Sequence, residues 1–201
     1  MEKLVFVFRR KPGATRDEFF AHYLNTHSPL GLRVVENLAG YTVNHLETDA
    51  EFDAVTEIWT PSAVDFTGGT PKDDEGTRAI VADHRSFMGP QDTYAVDERI
   101  VRDGALAGPL AAATPGVKAV TFFRRGETLP EPPAGAYRVV DNNVLRPIYL
   151  RDQRADAASG LASDLAVVRT VWANTRDELG ELPPGSAFLR EYRFRLVGEP
   201  A

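Results

Sequence analysis

Residues 3–10 read KLVFVFRR, and residues 118–125 read KAVTFFRR. Each run is rich in apolar, β-branched and aromatic residues, and the first ends at Lys11-Pro12-Gly13, so it reads as a buried strand closed by a turn. Side chains alternate along a strand. Leu4, Phe6 and Phe8 therefore share one face while Val5 and Val7 share the other, and both faces call for burial. The two runs lie 115 positions apart. Two further echoes follow in the same order. Val55–Trp59 (VTEIW) pairs with Val168–Trp172 (VRTVW) at an offset of 113, and Ala95–Val101 (AVDERIV) with Glu191–Val197 (EYRFRLV) at an offset of 96. Ordered echoes predict a two-fold internal repeat. The falling offset says that the second copy has lost material, chiefly between its third and fourth strands.

Outward from the first strand, Thr15 and Glu18 form a capping box that opens a helix. Phe19, Phe20, Tyr23, Leu24 and His27 make its core stripe, and Pro29 is expected to stop it. A short helical stretch at 32–38 precedes strands at 41–46 and 52–59. The Gly-rich residues 66–71 read as a loop, 73–87 as a second helix and 93–101 as a fourth strand. The order βαββαβ is the ferredoxin-like unit, with both helices on one sheet face. Residues 102–115 are rich in Ala, Gly and Pro and read as a linker. In the second copy, residues 126–135 are too Pro-rich for a helix, and an Ala/Asp-rich stretch at 153–165 separates strands two and three. The expected organisation is a ferredoxin-like domain at 1–103, a linker at 104–116 and a degenerate ferredoxin-like domain at 117–201. A sheet with helices on one side leaves its other side bare, and a second sheet is the usual cover. The fold class expected is therefore α+β: two tandem ferredoxin-like halves whose antiparallel sheets close one barrel within a single chain.

Composition narrows the partners. The 201 residues carry a net charge of −6, which disfavours nucleic acid and anionic membranes as partners. The chain contains no cysteine, so disulfides, thiolate metal sites and a cysteine nucleophile are excluded. No apolar run approaches the ~18 residues of a membrane span, and the opening residues carry no signal-peptide core. A cytoplasmic protein with a small-molecule substrate is expected, either a monomeric pseudo-dimer or a homodimer.

Four motifs carry a resemblance to the EthD family. They are the Lys-Pro-Gly turn, Glu-Phe and His-x-Pro of RKPGATRDEFFAHYLNTHSP (10–29), the Tyr and Asn-His of YTVNH (41–45), FDAVTEIW (52–59), and the Asp and Phe of ADHRSF (82–87). The resemblance covers roughly residues 3–101. The resemblance implies a dimeric α/β-barrel fold, here as a tandem fusion. Relatives include accessory proteins of ether degradation, cofactor-free cyclases and dehydratases, and some monooxygenases. Fold alone does not choose among these.

All four histidines, His22, His27, His45 and His84, lie in the first half. His27 follows Tyr23 by four residues and Phe20 by seven, so it faces the sheet, and a neutral imidazole there is a candidate acid or base. Its competing role is to satisfy the end of a helix. His84 shares the Ile80 face of the second helix, beside Asp83 and three residues before Phe87, and is expected to converge with His27. We take His27 and His84 as candidate catalytic residues, and Tyr23, Asn44, Trp59, Asp83 and Phe87 as candidate substrate-binding residues. Along the second strand Tyr41, Val43 and His45 face one way, and Thr42, Asn44 and Leu46 the other. Glu57 is expected to pair with an arginine inside the barrel, Trp59 to wall the core or a pocket, and His22 to be solvated. No metal site is expected: His27, His84 and Asp83 form a conceivable two-histidine-one-carboxylate set, but no short His spacing supports it. No nucleotide loop or nucleophile elbow is present, and no cofactor is expected. The leading expectation is a cofactor-independent lyase or cyclase performing dehydration, aldol-type cyclisation or decarboxylation on a small, partly apolar carbonyl or hydroxyl metabolite. The alternatives are a non-catalytic binding or accessory protein of an oxidative pathway, and a haem- or dioxygen-dependent monooxygenase.

Overall fold

A computed structural model describes residues 1–48, 50–69, 73–148 and 164–198. Its first half runs β1 (Glu2–Arg10), α1 (Arg16–His22), a π-helical turn (Tyr23–His27), α2 (Ser28–Val34), β2 (Gly40–Leu46), β3 (Ala54–Thr60), α3 (Ala63–Gly69), α4 (Asp74–Phe87) and β4 (Met88–Arg102). The second runs β5 (Val117–Arg124), β6 (Arg138–Pro147), β7 (Leu165–Ala173), α5 (Arg176–Leu179) and β8 (Ala187–Arg195). The strands close into one antiparallel barrel in the order β1-β3-β2-β8-β5-β7-β6-β4. Each half supplies four neighbouring strands with its first between its third and fourth. The seams are β2 on β8 and β4 on β6. Closure removes every free strand edge.

The alternation along β1 settles which residues go where. Val5 and Val7 point inward and pack with Leu46, Val55 and Val96 of the first half and with Val120, Val168 and Leu189 of the second. Leu4, Phe6 and Phe8 point outward beneath the helices, against Phe19, Tyr23, Tyr41, Val43 and Phe87. Burial of each such side chain is worth ~1.5–3 kcal/mol, so both faces of the first-half sheet contribute. Outside the second half the cover is thin. Ala119, Ala136, Val139, Val171 and Leu179 form a small cluster there. Small side chains suffice because the four-residue α5 stands where the first half has the fourteen-residue α4.

Several expectations need correction. Pro29 does not end the helical path. Lacking an N–H, it cannot donate to the carbonyl four residues back. The chain accommodates it by a π turn, in which the Ser28 N–H reaches the Tyr23 carbonyl, and then continues as α2. Residues 66–69, read as loop, belong to α3, whose Ala63 N–H donates to the Glu2 carboxylate. Residues 104–116 run along β8, with N–H groups of Ala111 and Thr114 donating to the Arg193 and Glu191 carbonyls. The Arg193 guanidinium in turn donates to the carbonyls of Ala107 and Gly108. The Ala/Asp-rich stretch 153–165 falls, but for its last two residues, outside the described residues.

The register of the last strand also differs. Lys3 stands opposite Val96 and Lys118 opposite Leu189, so the two strands correspond at an offset of 93, not 96. A short alternating strand fits several registers by pattern alone, and backbone pairing fixes the one adopted. At this offset Glu98 corresponds to Glu191, a match that the sequence comparison missed. No helix among the described residues is long and apolar enough to cross a membrane.

Candidate acid–base site under the helices

The helix face of the first-half sheet gathers the histidines. Asp83, on α4, sits between two of them. One carboxylate oxygen is 2.7 Å from His22 Nε2 and the other 2.7 Å from His27 Nδ1. The π turn makes this possible. Residues five apart diverge on an α-helix, but a turn closed by an i→i+5 hydrogen bond carries both rings to the same side. His22 is therefore a half-buried member of the cluster rather than a solvated surface residue. A purely α-helical reading of residues 15–29 hides that relation.

His27 is 6% exposed. Its ring centroid lies 4.7 Å from that of His84 and 5.1 Å from that of Tyr23, with Phe87 at 5.2 Å. The Tyr23 hydroxyl bonds Thr56 on β3, and the Tyr41 hydroxyl lies 3.1 Å from Ser28 Oγ. Of the residues singled out from the sequence, His27, His84, Asp83, Tyr23 and Phe87 are thus brought together. Asn44 and Trp59 are not. They point through the other side of the sheet into the barrel, as the alternation along β2 and β3 requires.

Burial dominates the electrostatics of the cluster. It holds His27 below the ordinary imidazole value despite the hydrogen bond and charge of Asp83. It drives His84 down to about 3, helped by the proximity of His27. Burial pushes Asp83 upward, but the hydrogen bonds from His27 and His22 outweigh it and keep the carboxyl below its usual range. Burial raises both the Tyr23 and the Tyr41 hydroxyls. At neutral pH the cluster therefore contains one carboxylate, neutral buried imidazoles and protonated phenols. Among the described residues, no group of three or more ligating side chains is placed to hold a metal ion.

These shifts carry a stability signature. An unfolded chain protonates its imidazoles near pH ~6.5, whereas burial holds His45 and His84 at about 3. The unfolded state then binds more protons between those limits, so stability is full above about pH 6.5 and is lost as pH falls. The thermal midpoint should be level from about pH 7 to 8 and decline from about pH 6 to 4. His84→Leu should shallow that decline. A midpoint that rises on acidification in this window contradicts the assignment.

Inside the barrel, Asn44 and Trp59 meet a charged core. Lys3 Nζ donates to Glu57 at 2.8 Å and Glu98 at 2.6 Å, and lies 4.4 Å from the Trp59 ring. Lys118 Nζ donates to Glu57 at 2.5 Å and Glu191 at 2.8 Å, and lies 4.3 Å from the Trp172 ring. Glu57 therefore pairs with two lysines rather than with an arginine. The indole N–H groups of Trp59 and Trp172 donate to Glu98 and Glu191 at 3.2 Å each. Asn44 and Asn142 each donate, at 2.9 Å, to the carbonyl of the valine opposite, Val55 or Val168. Glu57 breaks the correspondence, since Thr170 occupies its place in the second half. A cavity of about 60 Å³ at this end of the barrel is lined by Lys3, Glu57, Trp59, Trp172 and Glu191 among others.

No curated protein matches the chain. The π turn, the strand bearing Asn44 and His45, and the helix bearing Asp83 all lie within residues 11–91, the stretch that matches the family model of the EthD domain. The histidine cluster thus lies in the stretch of the chain that is similar to the EthD domain.

Proposed function

We propose that the cluster beneath α1 and α4 is the active site of a cofactor-independent lyase or cyclase acting on a small, partly apolar metabolite bearing a carbonyl or hydroxyl. The observation that carries this reading is Asp83 placed 2.7 Å from each of two imidazoles. A carboxylate accepting from Nδ1–H of His27 fixes the tautomer with Nε2 unprotonated and aims the ring. An unprotonated Nε2 on a neutral imidazole is a base at working pH. It would take the proton from a carbon next to the substrate carbonyl, and Asp83 would stabilise the imidazolium formed. The same proton would then go to a departing hydroxyl, which leaves as water in a dehydration, or to the alkoxide oxygen formed when the enolate carbon closes a ring onto a second carbonyl. The phenols of Tyr23 and Tyr41, kept protonated by burial, belong to the same cluster and would turn from Thr56 and Ser28 to donate to a developing enolate oxygen.

The second half is proposed to be a degenerate copy (117–201), joined through 104–116 to the EthD half (1–103), that takes the place of a second subunit. The strand order repeated in both halves supports this, as do the paired interior residues Lys3 and Lys118, Trp59 and Trp172, and Asn44 and Asn142.

The test is solvent exchange. Carbon acids such as 2-tetralone are incubated with the protein in deuterium oxide containing EDTA, and α-proton loss is followed by NMR. Accelerated exchange that disappears in His27→Gln supports the assignment. Equal exchange by both proteins would falsify it.

A further inference from the structure

The sheet face under α1 holds one more imidazole, which the acid–base scheme leaves unused. His45, on β2, is 4% exposed. Its ring stacks flat on Phe20, with centroids 3.8 Å apart and planes 5° apart. The Tyr23 ring lies at 6.2 Å and the Tyr192 ring of β8 at 5.2 Å. His45 therefore shares a wall with the proposed site, and the second half of the barrel supplies part of its surroundings.

His45 Nε2 is buried without a hydrogen-bond partner. Buried polar atoms are nearly always paired, and each exception calls for a reason. Asn44 Oδ1 and Asn142 Oδ1 are also unpaired, but both amides are anchored through Nδ2 to strand carbonyls. No hydrogen bond to a described residue ties the His45 ring. Its neighbours are committed elsewhere: the Tyr23 hydroxyl to Thr56, and the Arg190 guanidinium to Glu47 at 2.9 Å. Burial, assisted by the charge of Arg190, holds the imidazole down to about 3. It is thus a neutral group, suited to accept a hydrogen bond and unsuited to bind an anion.

We infer that His45 is a substrate-contacting residue whose Nε2 accepts a hydrogen bond from a hydroxyl of an uncharged, flat ligand entering beside Phe20. Phe20 is half-buried and forms an aromatic wall at the imidazole. Tyr192 borders the same spot from the second half, so that half completes the site as well as the barrel. The inference rests on the acid–base reading for the location of the reaction, but the contact itself is a matter of binding.

The test uses the full chain labelled with nitrogen-15 at histidine. Two probes are compared by NMR: 2-naphthol, and 2-methylnaphthalene, which has a similar shape and no hydroxyl. We expect 2-naphthol to shift the His45 Nε2 resonance and to bind about tenfold or more tightly than 2-methylnaphthalene, the worth of one buried hydrogen bond. His45→Phe, which keeps a ring on Phe20, should cut that preference to about threefold or less. Should that variant not fold, His45→Gln and the wild-type resonance decide. An unmoved Nε2 at saturating 2-naphthol, no binding of 2-naphthol, or an undiminished preference in the variant overturns the inference. The two proposals separate cleanly. Exchange that depends on His27, together with an indifferent His45, removes only this one. A fully active His27→Gln with the naphthol preference intact removes only the acid–base scheme.

Discussion

Replacing His27 by glutamine should lower the rate of carbon-acid exchange by about 10²–10⁴-fold, the usual contribution of a positioned proton-transfer group. The fold should survive. The glutamine amide can still donate to Asp83, so α4 and the π turn remain tied, and the thermal midpoint should move by only a few degrees, in line with a change of about 1 kcal/mol. What disappears is the ring nitrogen that carries the proton. Asp83→Asn tests the other half of the arrangement. An amide offers one acceptor where the carboxylate offers two, so it cannot accept from His22 Nε2 and His27 Nδ1 together. It also cannot stabilise an imidazolium. The loss in turnover should approach that of His27→Gln, and the acid limb of the pH–rate profile should move, because the imidazole loses the interaction that raises its basicity against burial. Full activity in Asp83→Asn would assign that carboxylate to helix anchoring alone.

Much of this was legible in the residues. The apolar face on each side of β1 demanded two covers, and the structure supplies helices outside and a second sheet within. Tyr23, His27, Asp83, His84 and Phe87 converge because helical spacing and a common sheet face predict that they should. Three features escaped. His22 joins the cluster only through a π turn, and no propensity marks one; Pro29 two residues beyond was the available hint. The role of His45 as an unpaired ring depends on what its neighbours on β8 do, which is a long-range relation. The match of Glu98 with Glu191 was lost because residue similarity favoured another register, whereas a carboxylate at each place follows at once when Trp59 and Trp172 are recognised as needing an acceptor for their indole N–H groups.

The charged interior yields the second large effect, and its asymmetry is the telling part. Lys118 serves Glu57 and Glu191, both buried. Its own charge persists despite burial because those two carboxylates outweigh the desolvation. Lys118→Met removes one of two interior ammonium groups while three carboxylates stay, so a buried negative charge is left undercompensated. Such one-sided removal costs about 3–5 kcal/mol. For a chain of this size that is a fall in thermal midpoint of roughly 6–20 °C. Glu57→Leu should behave otherwise, although Glu57 makes more hydrogen bonds. Without it Lys3 keeps Glu98, Lys118 keeps Glu191, and Asn44 keeps the Val55 carbonyl. Each lysine then keeps one carboxylate, and the centre resembles the second half, where Thr170 sits in place of a carboxylate. Replacement of a buried ionic group by an apolar one that leaves no unpaired charge is often close to neutral. A loss of about 1 kcal/mol or less is expected for Glu57→Leu. The double variant should be less impaired than Lys118→Met alone, because removing Glu57 relieves the surplus negative charge. Equal destabilisation by the two single variants would mean that Glu57 holds the halves together by geometry and not by charge. The interior ion pairs would then act as a rigid clasp across the barrel, whose loss from either side costs the same.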